Sequence, residues 1–190
     1  QAAYIFIPMD ENQKNHLKAY GIAYLSIELN VKVDWLLNYQ GGSFMMEYNR
    51  KIEDECNIRG VSFNIIADIQ STEILRSISR PEINQDVVRL EKAPKIAIYS
   101  PNNKQPWDDA VTMALSYAEI PYEVIYDEEV LNNLLPIYDW LHLHHEDFTG
   151  QYGKFYATFK NTSWYKEQKK EYEKLAKKLG YKKVSKQKLA

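Results

Sequence analysis

A chain of 190 residues with 45% apolar side chains has enough material for one well-packed domain, or for one domain with an appendage. Its formal charge of −2 speaks against nucleic acid and membrane surfaces as partners, and no apolar run approaches the length that spans a bilayer. The single cysteine, Cys56, excludes an intramolecular disulfide and any Cys-x-x-Cys metal or redox site.

Ile5-Phe6-Ile7 opens the chain as a strand near residues 4–8. Leu17, Tyr20, Tyr24 and Ile27 then recur at helical spacing, and a second strand follows over 31–37. Strand, helix and strand within about 30 residues is the mark of a βαβ crossover, which sets its two strands parallel. Gly41-Gly42-Ser43 lacks the spacing of a phosphate-binding loop and reads as a plain turn. A polar helix runs from Tyr48 to Ile58 and ends at Gly60; a strand spans 61–67 and a helix 71–79, stopped before Pro81. Residues 81–94 read as a connection.

The same order then begins again. Ile96 to Tyr99 is a strand over 95–99; Val111, Ala114, Leu115 and Ala118 mark a helix; a strand follows over 122–126. Ile5 to Val33 is 28 residues, and so is Ile96 to Val124. A further strand is expected over 138–144, and a helix from Trp164 to Leu179 with Ser163 as its cap and Gly180 past its end. Asn161-Thr162-Ser163, a formal glycosylation triplet, reads as part of that cap. From residue 154 onward twelve Lys stand against three Glu with no Arg, which describes a solvated helix face and not a nucleic-acid stripe. Lys183-Val184-Ser185 opens an element that the chain does not complete, the pattern of a fragment. These elements predict an α/β fold: a mainly parallel sheet of about six strands with helices on both faces. The expected organisation is a single domain over 1–190, with βαβ-like halves at 1–80 and 93–150 and a Lys-rich helix at 163–180.

In parallel sheets ligands collect at the carboxyl ends of strands. Those ends carry Asp10, the stretch from Ser100 to Trp107 and Asp108, and Tyr138-Asp139-Trp140-Leu141-His142-Leu143-His144-His145-Glu146-Asp147-Phe148-Thr149-Gly150. On a strand, Trp140, His142 and His144 share one face, and Leu141, Leu143 and His145 the other. Trp107-Asp108-Asp109 opens the second crossover helix, where carboxylates offset the helix dipole. There is no Gly-x-Ser-x-Gly elbow, and Cys56, next to Glu55 in an acidic helix, is a poor thiolate.

The runs Ile7-Pro8-Met9-Asp10, His16-Leu17-Lys18-Ala19-Tyr20-Gly21, Asp34-Trp35-Leu36-Leu37-Asn38-Tyr39, Gly41-Gly42-Ser43-Phe44, Ala93-Pro94-Lys95-Ile96-Ala97 and Trp107-Asp108-Asp109-Ala110-Val111 lie along the chain with the Tyr138 to Gly150 motif. Together they resemble a secreted family from Bacteroidetes labelled asparagine synthetase B, over essentially the whole chain. The resemblance implies a class I glutamine amidotransferase-like, flavodoxin-like fold, a signal peptide, and therefore a secreted or periplasmic location. It implies a nucleophilic cysteine on a strand-to-helix turn beyond the last residue here. The name implies asparagine synthesis, but residue 1 is Gln where such enzymes carry a catalytic Cys, and Gln40-Gly41-Gly42-Ser43-Phe44-Met45 lacks the Asp of their Ser-Gly-Gly-x-Asp-Ser nucleotide loop.

The function expected on these grounds is a non-catalytic or incomplete amidotransferase-like domain. It would contribute a ligand-binding rim from His144, His145, Glu146, Asp147, Trp107, Asp108 and Asp10, without a cofactor. Two alternatives stand beside it. One is a metal- or acid–base-dependent hydrolase centred on His142 to Asp147, with His142 and His144 as metal ligands. The other is a surface interaction module using exposed Tyr and the Lys-rich helix. The partner is then a small molecule or an envelope protein; self-association is compatible with each reading, and nucleic acid and a membrane span are not expected.

Overall fold

The computed structural model of the protein describes residues 3–100, 109–143 and 157–181. Its chain divides into two compact units, Gln1–Pro94 with Ala110–Pro121, and Lys95–Asp109 with Tyr122–Ala190.

In unit 1, β1 (Ala3–Ile7), α1 (His16–Glu28) and β2 (Val33–Leu37) follow in the expected order. The two strands run in the same direction, as a crossover requires, but they are not neighbours. β3 (Ser43–Glu47) turns back from β2 and inserts between them, antiparallel to both. α2 (Arg50–Arg59) leads to β4 (Asn64–Ala67), which pairs antiparallel with β1 from outside. α3 (Asp68–Ile78) then leads to β5 (Asp86–Leu90), antiparallel to β2 at the other edge. The order is β4-β1-β3-β2-β5. The first four strands with α1 and α2 are two interleaved crossovers, the split βαβ or ferredoxin-like arrangement.

The expected mainly parallel six-stranded sheet, and with it the glutamine amidotransferase-like or flavodoxin-like fold, is therefore corrected. Crossover connections set the relative direction of β1 and β2, not their adjacency. A strand inserted between two parallel strands makes every ladder antiparallel. Two of the inserted or added strands, β3 and β5, also lie in stretches expected to be loop and connection.

Both faces of this sheet are covered. Ile5, Ile7, Val33, Phe44 and Met46 pack with Ala19, Ile22, Ile52 and Cys56 under α1 and α2. Phe6, Leu36 and Met45 pack with Ile74, Leu75 and Ile78 of α3. Two-sided burial turns the alternating pattern of a sheet into continuous apolar runs such as Ile5-Phe6-Ile7, which is the pattern usually read as parallel.

α1 buries Ala19, Ile22, Ala23 and Ser26, leaving Leu17 and Tyr20 substantially exposed. Its small residues serve a second contact, with α4 (Ala110–Ala118). A Cβ on Gly21 would lie 1.8 Å from the Ala118 carbonyl oxygen, so only glycine permits that approach. Ion pairs of Glu119 with Lys18 and with Arg59 (3.2 Å) fasten the same end. Gly41, at φ 78°, closes the β2–β3 turn, where a Cβ would meet the Met9 carbonyl oxygen at 2.2 Å.

In unit 2 the parallel arrangement holds over three strands. β6 (Ile96–Tyr99) lies between β7 (Glu123–Ile125) and β8 (Trp140–Leu143), parallel to both. α5 (Asp127–Leu131) and a 3₁₀ turn at Leu135–Ile137 follow β7. Ala97, Tyr99 and Ile125 form a small core with Tyr126, Val130, Leu135 and Tyr138. α6 (Ser163–Lys178) buries Tyr172 and Ala176 and turns its lysines outward; the Tyr172 and Tyr126 hydroxyls are hydrogen-bonded to each other. Among the described residues no helix is long and apolar enough to cross a membrane.

Candidate functional site

The order β7-β6-β8 makes the chain leave β6 toward one side and return on the other. In open parallel sheets, strand ends where connections diverge in this way are where ligands commonly bind. Ser100 stands at that end. Its N–H donates to the Ile125 carbonyl at 3.0 Å, which carries the ladder one residue past β6. Its side chain is fully buried, and among the described residues its Oγ has no hydrogen-bond partner. A buried hydroxyl left in this way costs about 1–3 kcal/mol.

His142 of β8 is in register with Ile98 of β6. By the alternation of the strand, Ser100, two residues on, shares the sheet face of Ile98 and His142. The His142 ring is held there by the Asp109 carboxylate, which accepts a hydrogen bond from Nε2. Both side chains are largely buried, at 20% and 11% exposure, so solvent competes little for the pair. Trp140 meets the same ring edge-on, with centroids 6.4 Å apart. With Nε2 committed to Asp109, Nδ1 is the imidazole's other hydrogen-bonding atom. On the opposite face Tyr99 donates to the buried Asp127 carboxylate.

The amino ends of the strands carry a different cluster. The Tyr138 hydroxyl donates to Glu123 at 2.6 Å, and Lys95 sits 3.2 Å from Glu123 and 5.0 Å above the Tyr138 ring. The hydrogen bond to Glu123, with some help from burial, pushes the Tyr138 phenol up to about 12. The same bond, together with Lys95, holds Glu123 below the usual carboxylate range. This cluster staples the sheet at the end opposite Ser100.

Of the residues expected to form the rim, His144, His145, Glu146, Asp147, Trp107 and Asp108 lie outside the described residues. Asp10 belongs to unit 1, where its carboxylate accepts from the Asn12 backbone and side chain at 3.0 and 2.9 Å and shapes its own loop. His142, expected as a hydrogen-bonded strand histidine or, in the hydrolase alternative, as a metal ligand or acid–base group, is paired with Asp109. The sequence reading gave Asp109 a helix-dipole role alone; its position at the start of a crossover helix, facing a parallel strand end, was the available signal. Among the described residues no group of three or more His, Cys, Asp or Glu is placed to hold a metal. Leu141 and Leu143, on the other face of β8, are each 37% exposed. Ser43 Oγ donates to the Tyr39 and Gln40 carbonyls, which accounts for the Gly41-Gly42-Ser43 turn without a phosphate. Cys56 is fully buried in the unit 1 core, and it is chiefly this burial, more than Glu53 and Glu55, that pushes its thiol up to about 12.

No family model and no curated protein matches the chain. Among solved structures, a formyltetrahydrofolate deformylase from Pseudomonas putida KT2440 is similar at 13% identity, over 85% of this chain and 56% of that one, with a TM-score of 0.20. The chain thus spans little more than half the length of that protein, and a likeness this remote carries no inference about fold or activity.

Proposed function

We propose that this chain is a non-catalytic, ligand-binding part of a secreted or periplasmic protein of the kind labelled asparagine synthetase B, and that unit 2 holds a small polar molecule at the carboxyl end of β6. The observation that carries this reading is the buried Ser100 hydroxyl, without a partner among the described residues, on the sheet face of the Asp109–His142 pair. An alanine would pack there without the desolvation penalty, so a serine is best explained by a partner that arrives with the ligand. Binding is favoured over covalent catalysis because Ser100 has no hydrogen bond to His142 and so no base to activate it. Cys56 is excluded from such a role by its burial.

The resemblance to the asparagine synthetase B family brings amino-acid amides forward as ligands. A carboxamide offers a donor and an acceptor together, which suits a hydroxyl beside an imidazole. The test is thermal unfolding with and without asparagine or glutamine, on the parent chain and on Ser100→Ala. The parent should gain stability with the amide. Ser100→Ala should match or exceed the parent alone and gain nothing from the ligand. If the substitution lowers the melting temperature by several degrees and neither amide acts on the parent, the hydroxyl serves packing and the reading fails. The Asp109–His142 pair supports acid–base hydrolysis of an amide as a second reading. Ammonia release from glutamine that disappears in Asp109→Asn would favour that reading instead.

A further inference from the structure

The parallel sheet of unit 2 has two edge strands, and they differ in what they offer a further strand. Natural edges are ordinarily blunted by charge or proline, because a bare edge is a template for pairing with another chain. β7 begins with Glu123, which Tyr138 and Lys95 hold in place. β8 is Trp140-Leu141-His142-Leu143, with no Asp, Glu, Lys, Arg or Pro among its residues.

The ladder with β6 uses only half of the backbone groups of β8. The Trp140 N–H donates to the Lys95 carbonyl at 3.3 Å, one residue before its register partner Ile96. In a parallel pair that bond sets the parity of the strand. Trp140 and His142 turn their N–H and C=O toward β6, and Leu141 and Leu143 turn theirs away. Among the described residues β8 pairs with no second strand, and no hydrogen bond engages those outward groups. The side chains are open as well: Trp140 on one face, and Leu141 and Leu143 on the other, are each more than a third exposed.

We infer that β8 is a self-association edge, which pairs antiparallel with β8 of a second copy and joins two three-stranded sheets into one of six strands. The outward backbone groups require an extended strand as occupant. Such a strand must bring a bare, uncharged edge of its own, and a second copy of this chain does. About a two-fold axis through His142, Leu141 of each copy stands opposite Leu143 of the other, and each such pair exchanges both N–H···O=C bonds. All four outward N–H groups are then used. Leucine meets leucine on one face, and no ammonium or carboxylate of β8 is brought against another. Association stops at two, because the axis consumes the β8 edge of both copies.

The interface is small, so the dissociation constant should lie at roughly 10 μM to 1 mM. Sedimentation equilibrium of the parent chain across that range should follow a monomer–dimer equilibrium. Over the same range the amide hydrogens of Leu141 and Leu143 should exchange more slowly as the concentration rises. Leu143→Pro removes an outward N–H, leaves β6 its donors, and should weaken the dimer by at least about 10-fold. Leu141→Lys places a charge on the edge without altering the backbone, and should weaken it by a similar factor with an unchanged circular dichroism spectrum. Ser100→Ala should dimerise as the parent does, which separates a failure here from a failure of the ligand-binding reading. A parent chain that stays monomeric up to about 1 mM would overturn the inference. So would association that runs beyond two copies, amide exchange indifferent to concentration, or a Leu141→Lys chain that dimerises as well as the parent.

Discussion

The two sheets of this chain are buried in different ways. The five-stranded antiparallel sheet of unit 1 has helices on both faces, and its central strands β1 and β3 bury seven of their ten side chains. In the three-stranded parallel sheet of unit 2 only β6 is buried throughout; Val124, Trp140, Leu141 and Leu143 on its neighbours are each more than a third exposed. Parallel strands ordinarily need cover on both faces, so a narrow parallel sheet has one well-packed strand and two half-open ones. The difference shows where polar chemistry settles. In unit 1 the sheet centre is apolar. In unit 2 a buried serine, Ser100, ends the central strand, and a histidine, His142, stands on the half-open edge strand beside it.

Matched truncations break or sharpen that contrast most directly. Ile5→Ala removes a fully buried side chain from the unit 1 core and should cost about 2–5 kcal/mol. Leu143→Ala on the half-open edge of unit 2 should cost much less, roughly 1 kcal/mol. Urea unfolding followed by circular dichroism measures both. Equal losses would mean that β8 is as well covered as β1, and the contrast would fall.

The same contrast explains what was legible in the sequence. The strands of unit 2 were found near their observed positions, with the right direction, because each is a short apolar run between turn signals and its neighbours in space follow a crossover. In unit 1 the elements from Ile5 to Leu37 were equally readable, but the sheet order was not. Nothing in Ser43-Phe44-Met45-Met46-Glu47 announces that it will lie between two earlier strands; adjacency is decided by which faces bury together. Two-sided cover also erased the period-two alternation that marks antiparallel pairing. Asp86-Val87-Val88-Arg89-Leu90 was passed over because, as an edge strand, it mixes charge with apolar residues. The candidate site was legible only as a strand end: His142 was singled out, while the partner that fixes it, Asp109, comes from a helix start far along the chain.

A smaller effect tests how α4 is fastened within unit 1. Gly21→Ala places a methyl group against the Ala118 carbonyl, and the helices must separate to admit it. The expected loss is about 1–3 kcal/mol, even though alanine is intrinsically the better helix former. A neutral or stabilising result would mean that α1 and α4 part easily.

The smallest expected effect is also the one that depends on pH. Glu119 accepts a hydrogen bond from Lys18, which is the main reason its carboxyl is held below the usual range; Arg59 adds to the effect, and partial burial opposes it. A carboxyl whose pKa is depressed by folding contributes stability above its unfolded value, about 4.3, and loses it as the pH falls through the folded value. Glu119 is 48% exposed, so solvent screens much of the attraction and the contribution should not exceed about 1 kcal/mol. Glu119→Gln should therefore lower the urea midpoint of unit 1 slightly at pH 7, and the difference from the parent should shrink as the pH falls through the depressed folded value. Added salt should shrink the pH 7 difference in the same direction, because exposed ion pairs are screened. A difference that does not shrink toward acid and is indifferent to salt would show that the glutamate acts through shape or hydrogen bonding alone, and that the α1–α4 contact is not held by charge.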